Sequence, residues 1–311
     1  MSSMKDDTRK KTVVTGAAGF IGAHVARELL KRGYEVEVID NLSAGKRENV
    51  PEGARLHVVD VSDLDAIRPI LKDARAVFHF AALPRVQFSI DHPLEAHRAN
   101  VDGTFAVLLA AHEGGVGRVV YAGSSSAYGD QAALPISEDV PTNPVNPYGL
   151  QKLIGEQYAR IFSSAFGLST VCLRYFNVYG TGMDPEGGYA LAIPKFIALR
   201  KAGKPLTIFG DGTVSRDFTH VRDVVSANML AMDADTVGKG EAINIGAGRN
   251  VSINDLATLI DGGAEREYLP PRIEAHDTRA DIRKAKELLG WAPTTTLEDG
   301  IAELKKLSNL E

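Results

Sequence analysis

A β-branched run followed by a glycine-rich turn stands at residues 11–22, which read KTVVTGAAGFIG. The run predicts a strand, and the helical spacing of the apolar residues that follow predicts a helix from Phe20. Gly16, Gly19 and Gly22 have the spacing G-x-x-G-x-x-G across that junction. Backbone N–H groups at a helix N-terminus attract phosphate, and glycines let the backbone approach it. The stretch therefore predicts the first strand–turn–helix unit of a dinucleotide-binding sheet.

An acidic residue ends the next predicted strand. Asp40 stands 18 residues after Gly22, close to the separation of roughly 20 expected for a ribose-binding carboxylate. Such a carboxylate accepts hydrogen bonds from both ribose hydroxyls of NAD and repels the 2′-phosphate of NADP. Lys46 and Arg47 follow closely and would soften that repulsion. We expect NAD as the cofactor.

Strand-like and helix-like segments alternate through the first half, which predicts an α/β fold with a Rossmann-type doubly wound parallel sheet. Further strands are predicted at 34–40, 55–59, 76–80, 116–122 and 170–175, and helices at 64–71, 94–113 and 147–166. Beyond residue 177, prolines and glycines divide the chain into short elements, as in a smaller, interleaved C-terminal substrate-binding domain. We assign 1–176 and 216–247 to the NAD-binding domain, and 177–215 and 248–311 to the substrate domain.

Two short polar or small-residue stretches follow predicted strands. Asp60 and Val61 end the third strand, and Ala81 and Ala82 follow the fourth. Open α/β sheets bind ligands at the carboxyl ends of their strands. We therefore expect Asp60 and Val61 near an adenine ring, and the two alanines near a pyrophosphate.

Composition narrows the classes of partner. The 311 residues include 35 basic and 40 acidic side chains, a net charge of −5, which disfavours nucleic acid and anionic membranes as partners. The chain opens without an apolar signal-peptide core, and no stretch has the ~18 apolar residues of a membrane span. A single cysteine, Cys172, fits a reducing, cytoplasmic compartment. The eight histidines form no H-E-x-x-H pattern, so no metal site is expected.

Catalytic candidates lie near the fifth predicted strand. Tyr148 and Lys152 have the spacing Y-x-x-x-K, which puts both side chains on one helix face. A general base near neutral pH needs a tyrosine pKa well below 10, and a nearby ammonium favours the phenolate. Ser124 and Ser125 end the strand, where a hydroxyl can bond the substrate oxygen that Tyr148 deprotonates. The alternative for the serines is an ordinary solvated turn.

Together these residues resemble the extended short-chain dehydrogenase/reductases, and among them the UDP-sugar 4-epimerases, from Thr12 to about Ile301. Further motifs carry the resemblance: DNLS at 40–43, N-V-x-G-T at 100–104, RYFNVYG at 174–180 and RDF at 216–218. The resemblance implies that the cofactor site also includes Phe20, Ile21, Asn41, Asn100, Tyr148, Lys152 and Tyr175.

The same resemblance implies a site for a UDP-sugar. Asn177 and Arg216 would contact the diphosphate, and residues 205–209, with Ile208 and Phe209, would flank the uracil. Arginine suits a diphosphate because its planar fork donates two parallel hydrogen bonds. The alternative for Arg216 is an ion pair with the neighbouring Asp217.

The resemblance extends to the C-terminal part of the substrate site. Arg272 is similar to a phosphate ligand, although its segment is one residue short and has His276 in place of an expected arginine. Thr278 resembles the position where a large aromatic side chain excludes an N-acetyl group at sugar C2. A threonine leaves room for both plain and N-acetylated hexoses.

Departures from related enzymes narrow the reaction. Ser125 and Ser126 stand where 4,6-dehydratases have Asp-Glu and decarboxylases have a glutamate, which leads us to expect C4 inversion of a UDP-hexose. A UDP-glucuronate 4-epimerase is the alternative, with Thr181 or Arg85 for the extra carboxylate. A non-catalytic NAD-binding regulator is the alternative from another class.

A homodimer is also implied, packed through helices 94–113 and 147–166. Six apolar residues on these helices could serve that interface or equally the core: Phe105, Leu108, Leu109, Ile154, Tyr158 and Ile161.

Overall fold

The computed structural model describes residues 8–185, 191–271 and 277–310. Their strands are β1 Lys11–Thr15, β2 Glu35–Ile39, β3 Arg55–His57, β4 Ala76–His79, β5 Arg118–Ser124, β6 Thr170–Tyr175, β7 Val178–Tyr179, β8 Leu206–Phe209, β9 Ser215–Asp217, β10 Thr219–His220, β11 Lys239–Ile245, β12 Asn250–Ser252 and β13 Arg266–Leu269. Their α-helices are α1 Phe20–Lys31, α2 Leu64–Leu71, α3 Val86–Asp91, α4 Pro93–His97, α5 Gly103–Glu113, α6 Pro147–Phe166, α7 Ala192–Lys201, α8 Val221–Asp233, α9 Ile253–Asp261, α10 Arg283–Leu289 and α11 Leu297–Leu307.

Seven parallel strands form the central sheet, in the order β3-β2-β1-β4-β5-β6-β11. The strand order reverses between β1 and β4, so their carboxyl ends flank the crevice in which such sheets bind ligands. The predicted α/β fold with a doubly wound parallel sheet is confirmed.

Alternate residues of the central strands enter two separate apolar cores, one on each face of the sheet. Val14 and Phe78 pack with α1 and α8, whereas their chain neighbours Val13 and Val77 pack with α2 and α5. Both faces are therefore covered, and the ligand crevice is left at the carboxyl edge of the sheet.

A third apolar core lies among α7, β8, α9 and α11. Three two-stranded sheets accompany it, pairing β7 with β10, β9 with β12 and β8 with β13. This core draws on residues from both sides of β11, which supports an interleaved second unit. The exact division into two domains stays a prediction.

The helix predicted over 94–113 is interrupted. The chain forms α4, then a π turn at Arg98–Asp102, then α5. Hydrophobic spacing cannot reveal a π turn, which inserts an extra residue and is frequent at functional sites. The strand predicted at 116–122 begins two residues later, because Val116 N–H still bonds the end of α5 at Ala111 O, 3.0 Å away.

The part of the chain that the structure describes contains no helix with the length and apolarity to cross a membrane. Its His, Cys, Asp and Glu side chains form no group of three that could hold a metal ion.

Candidate active site

The glycine-rich turn joins β1 to α1 and packs against the end of β4. Gly16 has a φ of +72°, and a Cβ there would lie 2.6 Å from Ala81 N. A Cβ on Gly22 would lie 2.6 Å from Gly16 O. Gly19 is the N-cap of α1, and no side chain caps that helix. The first-turn N–H groups of Phe20, Ile21 and Gly22 thus form an uncapped helix N-terminus beside a closely wound turn.

Asp40 follows β2 and lies against this turn. Its Oδ2 accepts a hydrogen bond from Ala18 N at 2.9 Å, and its Oδ1 accepts one from Leu42 N at 2.9 Å. The side chain is mostly buried. Each oxygen keeps a second lone pair, so this carboxylate can accept further hydrogen bonds, as predicted for ribose hydroxyls.

Asn41 and Asp60 lie together at the same edge of the sheet. Asn41 Nδ2 donates to Asp60 Oδ2 at 2.7 Å, and Ser62 donates to Asp60 Oδ1 through its N–H and its hydroxyl. Partial burial opposes ionisation of Asp60, but these hydrogen bonds outweigh it and lower its pKa. Val61, the next residue, is buried beside Gly103 at the start of α5. The structure thus joins Asp60 to Asn41 and packs the neighbouring Val61 against the start of α5.

Asn100 lies buried in the π turn and connects two parts of the site. Its Oδ1 accepts from Leu83 N at 2.7 Å, just beyond Ala81 and Ala82. Its Nδ2 donates to Leu83 O at 3.2 Å and to Gln151 Oε1 at 2.7 Å. The amide therefore holds the loop after β4 against α6, a role that the sequence did not reveal.

The catalytic candidates meet at the carboxyl end of β5. Tyr148 lies in the first turn of α6, which Asn146 caps through a hydrogen bond from Gly149 N to its Oδ1. The Tyr148 hydroxyl lies beside the Ser124 side chain, which favours its ionised form. Lys152 Nζ donates to Ala122 O at 2.9 Å. The predicted Tyr, Lys and Ser side chains are thus within one small, mostly buried region.

Burial sets the charge states of the pair in the chain without ligands. It raises the pKa of Tyr148 to about 12, and the nearby Ser124 side chain partly offsets this rise. It lowers the pKa of Lys152 to about 8. The phenol is therefore neutral near pH 7, so the chain without ligands does not hold the phenolate predicted from the sequence.

Ser125 lies in a short 3₁₀ turn, Ser125–Ala127, that follows β5. Ser124 Oγ accepts from Ser126 N at 3.2 Å, so the first serine also holds this turn. Tyr175, at the end of β6, turns its ring into the core, where its hydroxyl donates to Asn228 Oδ1 at 3.0 Å.

A buried carboxylate organises the predicted diphosphate region. Asp217 accepts hydrogen bonds from Ala247 N at 2.7 Å, Gly248 N at 3.0 Å and Ala280 N at 2.9 Å. Burial raises its pKa to about 6, although these donors favour the charged form. Asn177 Nδ2 donates to the backbone O of Asp217 at 3.2 Å. Asp217 therefore joins three chain segments beneath this region.

Several predicted substrate residues lie in or near this cluster. Thr278 Oγ1 is 3.5 Å from Asn177 Nδ2, and Arg216 Nη1 donates to Ser215 O at 3.0 Å. Ile208 is buried in the third apolar core. Phe209 is half-buried, with Lys195 Nζ 5.0 Å from its ring centroid. Arg272 and His276 lie outside the described residues.

Comparison of this chain with known proteins agrees with this geometry. The model of the NAD dependent epimerase/dehydratase family matches residues 12–246. The chain belongs to this family. This confirms the family and the NAD cofactor that the glycine turn and Asp40 predicted.

Solved structures of epimerases resemble the chain over nearly its whole length. UDP-glucose 4-epimerase of Thermotoga maritima, solved with UDP-glucose, is 37% identical, with a TM-score of 0.91 over 96% of this chain and 98% of its own. UDP-N-acetylglucosamine 4-epimerase of Methanobrevibacter ruminantium, in complex with UDP-N-acetylmuramic acid, is 34% identical, with a TM-score of 0.90 and the same coverage. UDP-glucuronic acid 4-epimerase of Bacillus cereus, with UDP-glucuronic acid and NAD, is 33% identical, with a TM-score of 0.88 over 96% of this chain and 99% of its own.

The residues of this epimerase/dehydratase family member fit NAD. The turn at Gly16 and Gly22 has no space for a side chain, and the uncapped N-terminus of α1 offers N–H donors to a pyrophosphate. Asp40 has acceptor capacity for ribose hydroxyls at the end of β2.

Sequence reasoning missed residues that hold α6, the helix that contains Tyr148 and Lys152. Tyr148 N donates to Ser89 Oγ at 3.1 Å, so α3 supplies a hydroxyl cap to α6 in addition to the Asn146 amide oxygen. Glu156 is buried and forms a bidentate pair with Arg174 of β6, at 2.6 and 2.8 Å. Glu156 follows Lys152 at i+4, a spacing that could have identified it as lying on the same helix face.

Proposed function

We propose that this enzyme reversibly inverts C4 of a UDP-hexose, either UDP-glucose/UDP-galactose or their N-acetylated forms. The observation that carries the proposal is the placement of the Tyr148 hydroxyl beside Ser124 and near buried Lys152, at the sheet edge that also holds the glycine turn. These groups suit proton removal from a secondary alcohol.

Tyr148 acts as the base in this proposal. Its oxygen takes the proton of the C4 hydroxyl as the sugar becomes a 4-keto form. It returns the proton after the sugar has rotated to present its other face. NAD, when bound, supplies a hydride acceptor and donor together with a positive charge. Ser124 hydrogen-bonds the C4 oxygen, with Ser125 as a second hydroxyl, and the Lys152 ammonium favours the phenolate.

Inversion requires that the sugar rotate to present its other face while its nucleotide stays bound. Asn177 and Arg216 would hold the diphosphate, and Ile208 and Phe209 would flank the uracil. The support is rigidity: Asp217 fixes the backbone beside Arg216 and Asn177 through its bonds to two other segments. Anchors on the nucleotide alone leave the hexose free to present either face.

An N-acetyl group at C2 is compatible with Thr278. The side chain is small and its hydroxyl lies 3.5 Å from Asn177 Nδ2. We therefore propose that both plain and 2-acetamido hexoses are substrates.

A uronate substrate is the weaker alternative. Of the two candidate partners for its carboxylate, Thr181 has its hydroxyl 3.4 Å from Glu303 Oε1. A second carboxylate there would be repelled. Arg85 is the other candidate and is exposed just before α3. A purely regulatory NAD-binding role is disfavoured by the intact Tyr148 and Lys152.

A substrate panel tests the function. The purified protein with NAD is incubated separately with UDP-galactose, UDP-N-acetylgalactosamine and UDP-galacturonate, and C4 inversion is followed by proton NMR of the anomeric signals. We expect inversion of the first two. Inversion of the uronate alone would favour the alternative substrate, and inversion of none would refute the proposed function.

Thr278→Tyr sharpens the test of sugar range. We expect the larger side chain to reduce turnover of the N-acetylated substrate by at least tenfold relative to UDP-galactose, a loss of about 1.4 kcal/mol in transition-state binding. Retained turnover of UDP-galactose is the internal control for folding. Equal loss with both sugars would contradict the proposed position of Thr278.

We also propose a homodimer formed through α4, α5 and α6. Leu108 is in the core, but Leu94, Phe105, Ile161 and Phe166 expose 38–65% of their surface along these helices. Light scattering after size exclusion should give twice the 33.4 kDa chain mass. Ile161→Asp should give the monomer mass, and a dimer unaffected by it would argue against this interface.

A further inference from the structure

A buried histidine lies between the cofactor turn and the catalytic helix, and the proposed mechanism does not use it. His79 is the last residue of β4 and is 1% exposed. Its Nδ1 is 2.7 Å from Thr15 Oγ1, on the residue before Gly16. Thr15 Oγ1 in turn accepts from Ala81 N at 3.1 Å. This half of the network therefore joins the ends of β1 and β4.

The other ring nitrogen faces the π turn. His79 Nε2 is 3.0 Å from Thr104 Oγ1, and that hydroxyl donates to Asn100 O at 2.7 Å. The Thr104 hydroxyl therefore donates its only hydrogen to Asn100 O. Toward the imidazole it can act only as an acceptor, so the hydrogen between the two must come from Nε2. Nε2 consequently bears hydrogen, and Nδ1 of the neutral ring accepts the Thr15 hydroxyl proton. The hydrogen bonds of this network therefore run in one direction, from Ala81 N through Thr15, His79 and Thr104 to Asn100 O.

Charge supports a single neutral state of this ring. Burial lowers the pKa of His79 to about 3, and repulsion from the Lys152 ammonium acts in the same direction. The ring also lies against Tyr121, with centroids 5.8 Å apart, and Lys152 Nζ is 5.0 Å from the centroid of that same tyrosine. His79 is therefore fixed beneath the catalytic lysine without carrying charge.

The two ends of the network hold different parts of the site. At one end, the Thr15–Ala81 bond closes the loop after β4 onto Gly16, whose absent Cβ would lie 2.6 Å from Ala81 N. At the other end, Asn100 holds Gln151, the residue before Lys152. A shift of the imidazole would therefore reach both the phosphate-binding turn and the catalytic helix.

We propose that His79 is a positioning residue that sets the cofactor turn through Nδ1 and Thr15, and the catalytic helix through Nε2, Thr104 and Asn100. The turnover arm of its test rests on the proposed function, whereas the NAD-binding arm does not. Failure of the sugar reaction and failure of this inference are thereby distinguishable.

Two amide substitutions separate the two halves. In His79→Asn the amide oxygen can replace Nδ1 as acceptor for Thr15, and in His79→Gln the amide nitrogen can replace Nε2 as donor to Thr104. We expect His79→Gln to bind NAD roughly five- to tenfold more weakly, with kcat at saturating NAD within about threefold of the parent. We expect His79→Asn to bind NAD within about twofold, with kcat reduced roughly tenfold. NAD affinity is measured by calorimetry.

Threonine variants provide matched controls. Thr15→Val should weaken NAD binding at least as much as His79→Gln does, because it also removes the bond from Ala81 N. Adding His79→Gln to Thr15→Val should weaken binding less than twofold further, because the bond between His79 and Thr15 is then already absent. Thr104→Val should instead resemble His79→Asn. Equal effects of His79→Asn and His79→Gln on both readouts would show a merely structural role and overturn the proposal.

NMR of the parent protein tests the ring itself, whether or not the variants fold. Among the eight histidines, ¹H–¹⁵N long-range spectra should contain a ring with hydrogen on Nε2 that does not titrate between pH 5 and 8. That signal should be missing from His79→Asn. A His79 ring that titrates in this range, or has its hydrogen on Nδ1, would refute the assignment.

Discussion

Strand β5 has a buried cation at each end, and the two are held in different ways. Arg118, its first residue, donates to four backbone carbonyls at 2.7–3.1 Å, three of them at the end of α8, and to Ser169 Oγ at 2.9 Å. Burial lowers the pKa of Arg118, but its guanidinium still has partners on all three nitrogens. Those partners make Arg118 a structural tie between the sheet and α8.

The other end of β5 is less completely satisfied. Lys152 is fully buried there, and its described hydrogen bond is the single one to Ala122 O. Tyr148 lies at the same end, with a buried, neutral hydroxyl beside Ser124.

The comparison shows that the two ends of one strand have different roles: Arg118 stabilises the fold, and the other end holds the groups proposed for catalysis. A buried charge with many partners stabilises its surroundings, whereas a buried charge with few partners costs stability and stays available for substrate. Substitution of Arg118 should therefore lower stability with little effect on turnover. Substitutions at the other end should lower turnover without lowering stability.

Tyr148→Phe should have the largest effect of the predictions drawn from this comparison. Loss of the proposed base should lower kcat about 10²- to 10⁴-fold, because general acid–base catalysis contributes that much. The variant keeps its ring, so NAD content and melting temperature should stay near those of the parent.

Tyr179→Phe is the matched control, since Tyr179 is also buried and its hydroxyl bonds Thr296 O at 3.3 Å, outside the catalytic cluster. Turnover of this control should be close to normal. Normal turnover in Tyr148→Phe itself would remove Tyr148 as the base.

Arg118→Met should have the second-largest effect, and on stability instead of turnover. Four carbonyls lose their donor in a buried region, so we expect the free energy of unfolding to fall by about 3 kcal/mol. Urea denaturation measures the loss. Ser169→Ala removes one of the five bonds and should cost about 1 kcal/mol. A lower kcat in folded Arg118→Met would contradict a purely structural role.

The sequence predicted the first half of the fold well because its elements have strong local patterns. The predicted bounds of β1, α1, α2, α6 and β6 are those observed. Most later elements were not predicted, among them α9 and β8, which pair short apolar stretches with partners distant in the chain. Local spacing does not contain that information.

The candidate site was predictable where chemistry requires a residue type at a fixed spacing. Gly16, Tyr148 and Lys152 are of this kind. The roles of Asp217, Ser89 and His79 were not predicted, because each acts through contacts between segments far apart in sequence. A buried polar residue looks ordinary in a strand until the groups that face it are known.

Of the three substitutions Tyr148→Phe, Arg118→Met and Lys152→Met, the last should have the smallest effect on free energy. It should raise the free energy of unfolding, whereas Arg118→Met should lower it. Burial lowers the pKa of Lys152 from its ordinary 10.5 to about 8. Below pH 8 the folded state therefore bears the cost of a buried ammonium, about 3 kcal/mol, less about 1 for its bond to Ala122 O. We expect the variant to lose turnover, by less than Tyr148→Phe does, yet to be about 2 kcal/mol more stable than the parent at pH 7.

The pH dependence identifies the cause of that gain. Between pH 8 and 10.5 the unfolded parent binds more protons at Lys152 than the folded parent, so parent stability rises with pH across this window. The advantage of Lys152→Met should therefore shrink above pH 8 in urea unfolding of both proteins without NAD. Lys204→Met, at an exposed lysine, should stay within about 0.5 kcal/mol of the parent throughout. An advantage that persists unchanged to pH 10 would mean that packing of the methionine, and not relief of a buried charge, stabilises the variant.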